Sequence, residues 1–205
     1  MKLMLVRHGQ TQWNHEKRVQ GTSDIPLNTL GLTQVERLAE SLRVLPIDTI
    51  VSSPLKRAIQ TANAVNRFHR LPVIIDDNLM ELDQGDFEGR SFSDLLASHA
   101  DFLKQWARDP ASVTMPNGES LANLQRRAWS AVESLPASAG TVLFVSHNFT
   151  IMTILCKING INLNRIREAH VSPASVTFVD VEDGRGKVVS FNETSHLAGC
   201  AETVA

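Results

Sequence analysis

The chain has 205 residues, and its 20 Lys and Arg against 22 Asp and Glu leave a formal net charge of −2, which excludes the basic footprint that nucleic-acid binding requires. With 42% apolar and 20% charged residues, it has the composition of a soluble globular protein. It is long enough to hide roughly 70% of its unfolded surface in one domain spanning 1–205.

Leu3-Met4-Leu5-Val6 is an apolar run that ends in Arg7-His8-Gly9 and reads as a buried strand. Gly9 lets the backbone turn there and approach a ligand closely. A polar stretch, His15 to Asn28, has no periodicity and is expected as a long loop. Thr33-Gln34-Val35-Glu36 resembles a capping box, and Val35, Leu38, Ala39 and Leu42 carry a helix to about Arg43. Asp48–Ser52 is a second strand. Ser53-Pro54 then opens a helix, with Ser53 as N-cap, that ends near Phe68. Val73–Ile75 is a third strand, followed by a loop from Asn78 to Arg90 that contains Glu81.

Ser91 and Asp94 form a second capping box before one or two short helices over about 92–107, in which Trp106 packs. Pro110 to Ser120 is a loop. Leu121, Leu124, Ala128, Ala131 and Leu135 lie near one face of a long helix. Thr141–Ser146 is the best buried-strand candidate and ends at His147; a helix over about 149–158 then stops near Gly160. Val176–Val181 and Lys187–Phe191 flank Glu182-Asp183-Gly184-Arg185-Gly186, a hairpin signal. This order predicts an α/β fold. It is a single three-layer α/β/α domain with a mainly parallel central sheet and a C-terminal β-hairpin.

No run approaches the roughly 20 apolar residues of a membrane span, and Leu3 to Val6 is too short for a secretory signal, so no membrane partner is expected. Cys156 and Cys200 match no metal spacing and read as free thiols in a reducing cytoplasm. The apolar hairpin offers an edge that could pair in a homodimer.

In a mainly parallel sheet, three strand ends share one edge. The first delivers Arg7 and His8, the second leads to Arg57 in a first helical turn, and the last delivers His147 and Asn148. Helix N-termini gather at the same edge and favour anions. Arginine placed against that dipole is unfavourable unless an anion is near, and its planar fork suits phosphate. The reading is a phosphate site. His15, His69, His99, His170 and His196 have no comparable context and are mostly read as surface residues.

Further motifs extend the pattern: Arg7-His8-Gly9-Gln10-Thr11, Trp13-Asn14, Gln20-Gly21, Pro26-Leu27-Asn28 and Ser52-Ser53-Pro54-Leu55-Lys56-Arg57-Ala58. Gln60-Thr61-Ala62, Leu79-Met80-Glu81-Leu82, Gly85-Asp86-Phe87-Glu88-Gly89, Pro116-Asn117-Gly118-Glu119-Ser120 and Val145-Ser146-His147-Asn148 follow. Together they resemble the histidine phosphatase superfamily, in its phosphoglycerate mutase-like branch. The resemblance implies His8 as a nucleophile that carries the phosphoryl group. It implies Arg7, Arg57 and His147 as the phosphate pocket, with Asn14 adding a donor. Glu81 is implied as general acid and then base, a role that needs a raised pKa. The same likeness marks Gln20, Gly21, Gln84, Asn148 and, from the C-terminal tail, His196 as substrate-binding. No metal or cofactor is implied.

The family's mutases carry a longer capping insertion after the glutamate motif, with basic and tyrosine side chains. Here Gly89-Arg90 runs directly into a short helix, and the chain has no tyrosine. The resemblance therefore points to a phosphatase, whose partner is a small phosphorylated metabolite such as phosphoserine or α-ribazole 5′-phosphate. Two alternatives stay open: a cofactor-dependent phosphoglycerate mutase, and a non-catalytic phosphate-binding module of the same fold.

Overall fold

Strand β1 (Lys2–Arg7) is buried from Leu3 onward because it has a strand on each side. On one side it pairs in parallel with Thr141–Ser146, and on the other antiparallel with Val176–Glu182. In chain order the strands are β1, β2 (Thr49–Ser52), β3 (Val73–Ile75), β4 (Thr141–Ser146), β5 (Val176–Glu182) and β6 (Arg185–Glu193). They form one six-stranded sheet in the order β3-β2-β4-β1-β5-β6. The first four positions are parallel and the β5–β6 hairpin adds an antiparallel edge, the expected fold class. The computed structural model describes residues 1–136, 138–182 and 185–200. Asp183 and Gly184, the middle of the expected hairpin turn, lie outside the described residues.

Alternation along the strands builds the layers. Met4, Val6, Ile50, Leu143 and Val145 face one apolar layer with Leu38, Ala39, Ala58 and Ala62. Those partners sit on α2 (Thr29–Leu42) and α3 (Lys56–His69), which follow the single turn α1 (Gln12–His15). Leu3, Leu5, Val142 and Phe144 face the opposite layer, with Leu121, Leu124, Ile151 and Leu155. These belong to α6 (Leu121–Glu133) and α7 (Asn148–Asn159). Between β3 and α6 lie α4 (Phe92–Ser98) and α5 (Ala100–Arg108). Among the described residues no helix is long and apolar enough to cross a membrane.

Three local expectations need correction. Helix α2 starts at Thr29: Asn28 caps it, accepting from the Gly31 amide at 2.7 Å, and Thr33 lies inside it with its hydroxyl on the Thr29 carbonyl. Helix α3 starts at Lys56, not Pro54. Its first free amide is capped across the chain by Asp24 at 2.7 Å, while the Ser53 hydroxyl accepts from the Leu55 amide at 3.4 Å and from His147. Gly9 serves packing rather than ligand approach. A Cβ there would stand 2.7 Å from the Gly31 carbonyl, and one on Gly31 would stand 2.0 Å from the Gln10 carbonyl. The pair lets α2 lie directly on the chain leaving β1. The Ser91 capping box and the left-handed Gly160 that ends α7 are as expected.

Candidate active site

The parallel register sets Arg7 beside Ser146, so the residues that follow, His8 and His147, leave the sheet together. The His8 amide donates to the Ser146 carbonyl at 3.1 Å, and the two imidazoles stand 5.1 Å apart. His8 Nδ1 lies 2.7 Å from the Gly9 carbonyl, which can only accept. The proton is therefore on Nδ1 and Nε2 is bare. Burial, then Arg57 and Arg7, hold the His8 pKa well below its usual range, so the ring is neutral near pH 7.

His147 is held differently. Its Nδ1 accepts from Arg57 Nε at 3.2 Å, so its Nε2 carries the proton and donates to the Ser53 hydroxyl at 2.7 Å. Burial first, and Arg57 next, keep it uncharged as well. Arg57 has no exposed surface. Its Nη1 and Nη2 donate to the Ser23 and Gly21 carbonyls at 2.8 and 2.7 Å, which folds the long loop over the site. Glu88 gathers the same loop, accepting from the Thr22 and Ser23 amides at 2.6 and 2.7 Å. Arg7 donates to the Val171 carbonyl at 2.5 Å, while its buried Nε has no partner. Burial lowers both arginines to about 10, and both stay charged at neutral pH.

Glu81 sits at the N-terminus of α7. Its carboxylate accepts from the Phe149 and Thr150 amides at 3.2 and 3.3 Å and from its neighbour Leu82 at 2.9 Å. Burial nevertheless dominates and raises its pKa, against those bonds and the two arginines. The backbone that carries it is clamped by Arg127 of α6. Nη1 of that arginine donates to the Asn78 and Met80 carbonyls at 2.9 and 2.7 Å, and Nη2 to the Glu81 carbonyl at 2.8 Å. Glu119 holds the same guanidinium through both oxygens, at 2.9 and 2.8 Å. Nothing local in the sequence singles out Arg127, since it occupies an ordinary polar position between Leu124 and Ala128.

A cavity of about 270 Å³ joins these groups. Arg7, His8, Asn14, Gln20, Glu81, Gln84 and Asn148 line its polar end, so seven of the expected residues share one wall. Four others stand elsewhere. Arg57 and His147 are packed behind the wall, engaged as described, and Gly21 contributes its carbonyl to Arg57. His196 turns its Nε2 to the Ala174 carbonyl at 2.9 Å and does not line the cavity. The cavity's apolar lining was not anticipated as binding surface: Phe92, Leu95, Phe102, Leu103, Trp106 and Phe149, with Arg18 beside them in the lining.

An uncharged imidazole with a bare nitrogen shares this cavity with a carboxyl whose pKa is raised by burial. Two arginines bring positive charge to the same point. Such a constellation is equipped to take and release a phosphoryl group. Comparison with known proteins agrees. The pattern of the histidine phosphatase superfamily, branch 1, matches residues 3–194, and the chain belongs to that superfamily. It is an enzyme of that class, a histidine phosphatase. Phosphoserine phosphatase 1 of Hydrogenobacter thermophilus is 31% identical over 199 residues, covering 96% of this chain and 94% of its own length. A Yersinia pestis protein named "Probable phosphoglycerate mutase GpmB" is 33% identical over 205 residues, covering 96% and 95%. The solved structure of Bacillus stearothermophilus YhfR superposes with a TM-score of 0.91 at 30% identity, covering 96% and 98%.

Proposed function

We propose that the protein hydrolyses small phosphomonoesters through a phosphohistidine intermediate, without a metal ion, in the reducing cytoplasm. The observation that carries this reading is the bare Nε2 of a neutral, buried His8 on the same cavity as Glu81. The Nε2 lone pair forms the P–N bond as the ester P–O bond breaks, and protonated Glu81 gives its proton to the leaving oxygen. Glu81, now a carboxylate, takes a proton from water as the water oxygen attacks phosphorus. The P–N bond breaks, its electron pair returns to Nε2, and inorganic phosphate leaves. Arg7, on the cavity wall, meets the charge on the transferring oxygens, and Arg57 adds positive charge from behind the wall. His147 keeps Arg57 aligned through Nδ1. Cys156 and Cys200 are free thiols, which fits a reducing compartment.

Wild type is expected to hydrolyse p-nitrophenyl phosphate in excess chelator and to form an acid-labile phosphoenzyme. His8→Ala should lose the label and at least about 10⁴-fold of the activity. A label that persists in that variant would refute His8 as the carrier.

One observation favours mutase chemistry as the second reading: a groove beside the cavity collects Arg7, His15, Lys17, Arg18 and His170 and would suit a second phosphate. Rapid conversion of 3-phosphoglycerate to 2-phosphoglycerate, with catalytic 2,3-bisphosphoglycerate, would select it.

A further inference from the structure

Helices α5 and α6 have the same kind of apolar stripe and opposite fates. On α6, Leu121, Leu124 and Ala128 are fully buried against the sheet. On α5, Phe102, Leu103 and Trp106 share a face, yet no residue of the helix is fully buried. The three side chains pack on the core with one flank and line the cavity with the other. Phe92 of α4 extends the same wall and is 61% exposed. The rings are fixed edge to face by neighbours already in place, Phe102 on Phe87 at 4.9 Å and Trp106 on Phe149 at 5.8 Å. The flank of the stripe that stays open is thus apolar surface already held in place, and it lines the same cavity as His8.

The polar groups narrow what that partner is. The one carboxylate among the described residues of the wall is Glu81, so a substrate ammonium has no acid to meet there other than the proposed catalytic one. Arg18 is tied to Glu16 at 2.5 Å and to the Gly89 carbonyl at 2.9 Å. Gln84 is 6% exposed and lines the cavity, and its carboxamide has no hydrogen-bond partner among the described residues. It offers one neutral polar contact. The cavity's 270 Å³ lies below the roughly 300–1,000 Å³ of sites that enclose drug-sized ligands, which limits the occupant to a compact group.

We infer that the α4–α5 wall is the subsite for the alcohol part of the substrate, and that this alcohol is compact and apolar or aromatic, with at most a neutral polar group for Gln84. Phe102 and Trp106 are the specificity-determining residues. This rests on the hydrolase reading of His8 and Glu81, which supplies the phosphate end.

The test compares kcat/KM for 2-phenylethyl phosphate, ethyl phosphate and O-phosphoserine, three alkyl esters for which leaving-group acidity is not the main variable. The expected result is a preference of at least about tenfold for 2-phenylethyl phosphate over both others, the scale of burying one ring. In Trp106→Leu and Phe102→Leu, each checked for an intact thermal transition, the ratio of 2-phenylethyl to ethyl phosphate should fall at least about threefold. Equal or better turnover of phosphoserine overturns the assignment, as does a ratio unchanged in both variants, while the hydrolase reading stands. No turnover of any ester and no phosphoenzyme would overturn the hydrolase reading, and this inference with it.

Discussion

On one side of the cavity, His8, Arg57 and His147 are 2%, 0% and 0% exposed and are tied to backbone or to one another. On the other, Phe92 is 61% exposed and α5 has no fully buried residue, although Leu95 of α4 is 2% exposed. The polar wall is held before any ligand arrives, as electrostatic catalysis requires, because dipoles that must reorient during the reaction stabilise it less. The apolar wall is held by packing alone, with Phe102, Leu103 and Trp106 half-buried between the core and the cavity.

Glu81→Gln tests the polar wall most severely. It should lower kcat for alkyl phosphates by about 10²–10⁴-fold. The loss should be smaller for p-nitrophenyl phosphate, whose leaving group departs without a proton; equal losses on both would remove Glu81 as proton donor. Arg127→Ala comes next. Misplacing the Glu81 backbone should reduce alkyl-ester turnover by up to about 10²-fold, again with less effect on p-nitrophenyl phosphate. A purely structural role for Arg127 would depress both substrates alike.

Stability separates the walls on a smaller scale. Leu124→Ala, in the layer beneath α6, should destabilise by about 2–5 kcal/mol in denaturant titration. Phe92→Ala on α4, at a 61% exposed position of the apolar wall, should change stability by less than about 0.5 kcal/mol. Similar values for the two would end the distinction between a packed and an open wall.

The smallest effect is in the pH dependence of the melting temperature. His8 and His147 stay neutral when folded but bind protons below about pH 6.5 when unfolded. Unfolding therefore takes up protons, and stability falls as pH drops below about 6.5. Glu81 acts in the opposite sense. Its folded pKa lies above the unfolded value of 4.5, so its contribution is present below that value and is lost as pH rises through the folded pKa. Melts from pH 5 to 7.5 should show a shallower acid loss in His147→Asn than in wild type; parallel curves would contradict a buried neutral imidazole.

The strands and their end residues were readable because a buried strand imposes an apolar run and its end is marked by the change to Arg-His-Gly or Ser-His. Arg57 was read as a cation facing an anion against a helix dipole. In the structure its partners are the Gly21 and Ser23 carbonyls, which offer negative charge without any ligand. Glu81 became visible only through family resemblance, since its burial depends on α7, which begins 67 residues later. Arg127 and its clamp left no trace, because its hydrogen bonds reach back 46 to 49 residues and follow no periodicity. The α4–α5 wall was seen as helices but not as a binding surface: half-buried and fully buried aromatic residues look alike in a one-dimensional pattern.

The position of β1 in the sheet bears on how the chain is born. Both its neighbours, β4 and β5, come from the last third of the sequence. At roughly 5–20 residues per second, the strand Leu3-Met4-Leu5-Val6 waits roughly 7–28 s on the ribosome before its first partner is made. During that time an apolar strand has both edges open, the condition in which chains associate wrongly. The strand that ends at His8 is thus made well before either neighbour and is secured only when they arrive, so chaperone supply during translation should govern the yield of active enzyme more than the stability of the finished fold does.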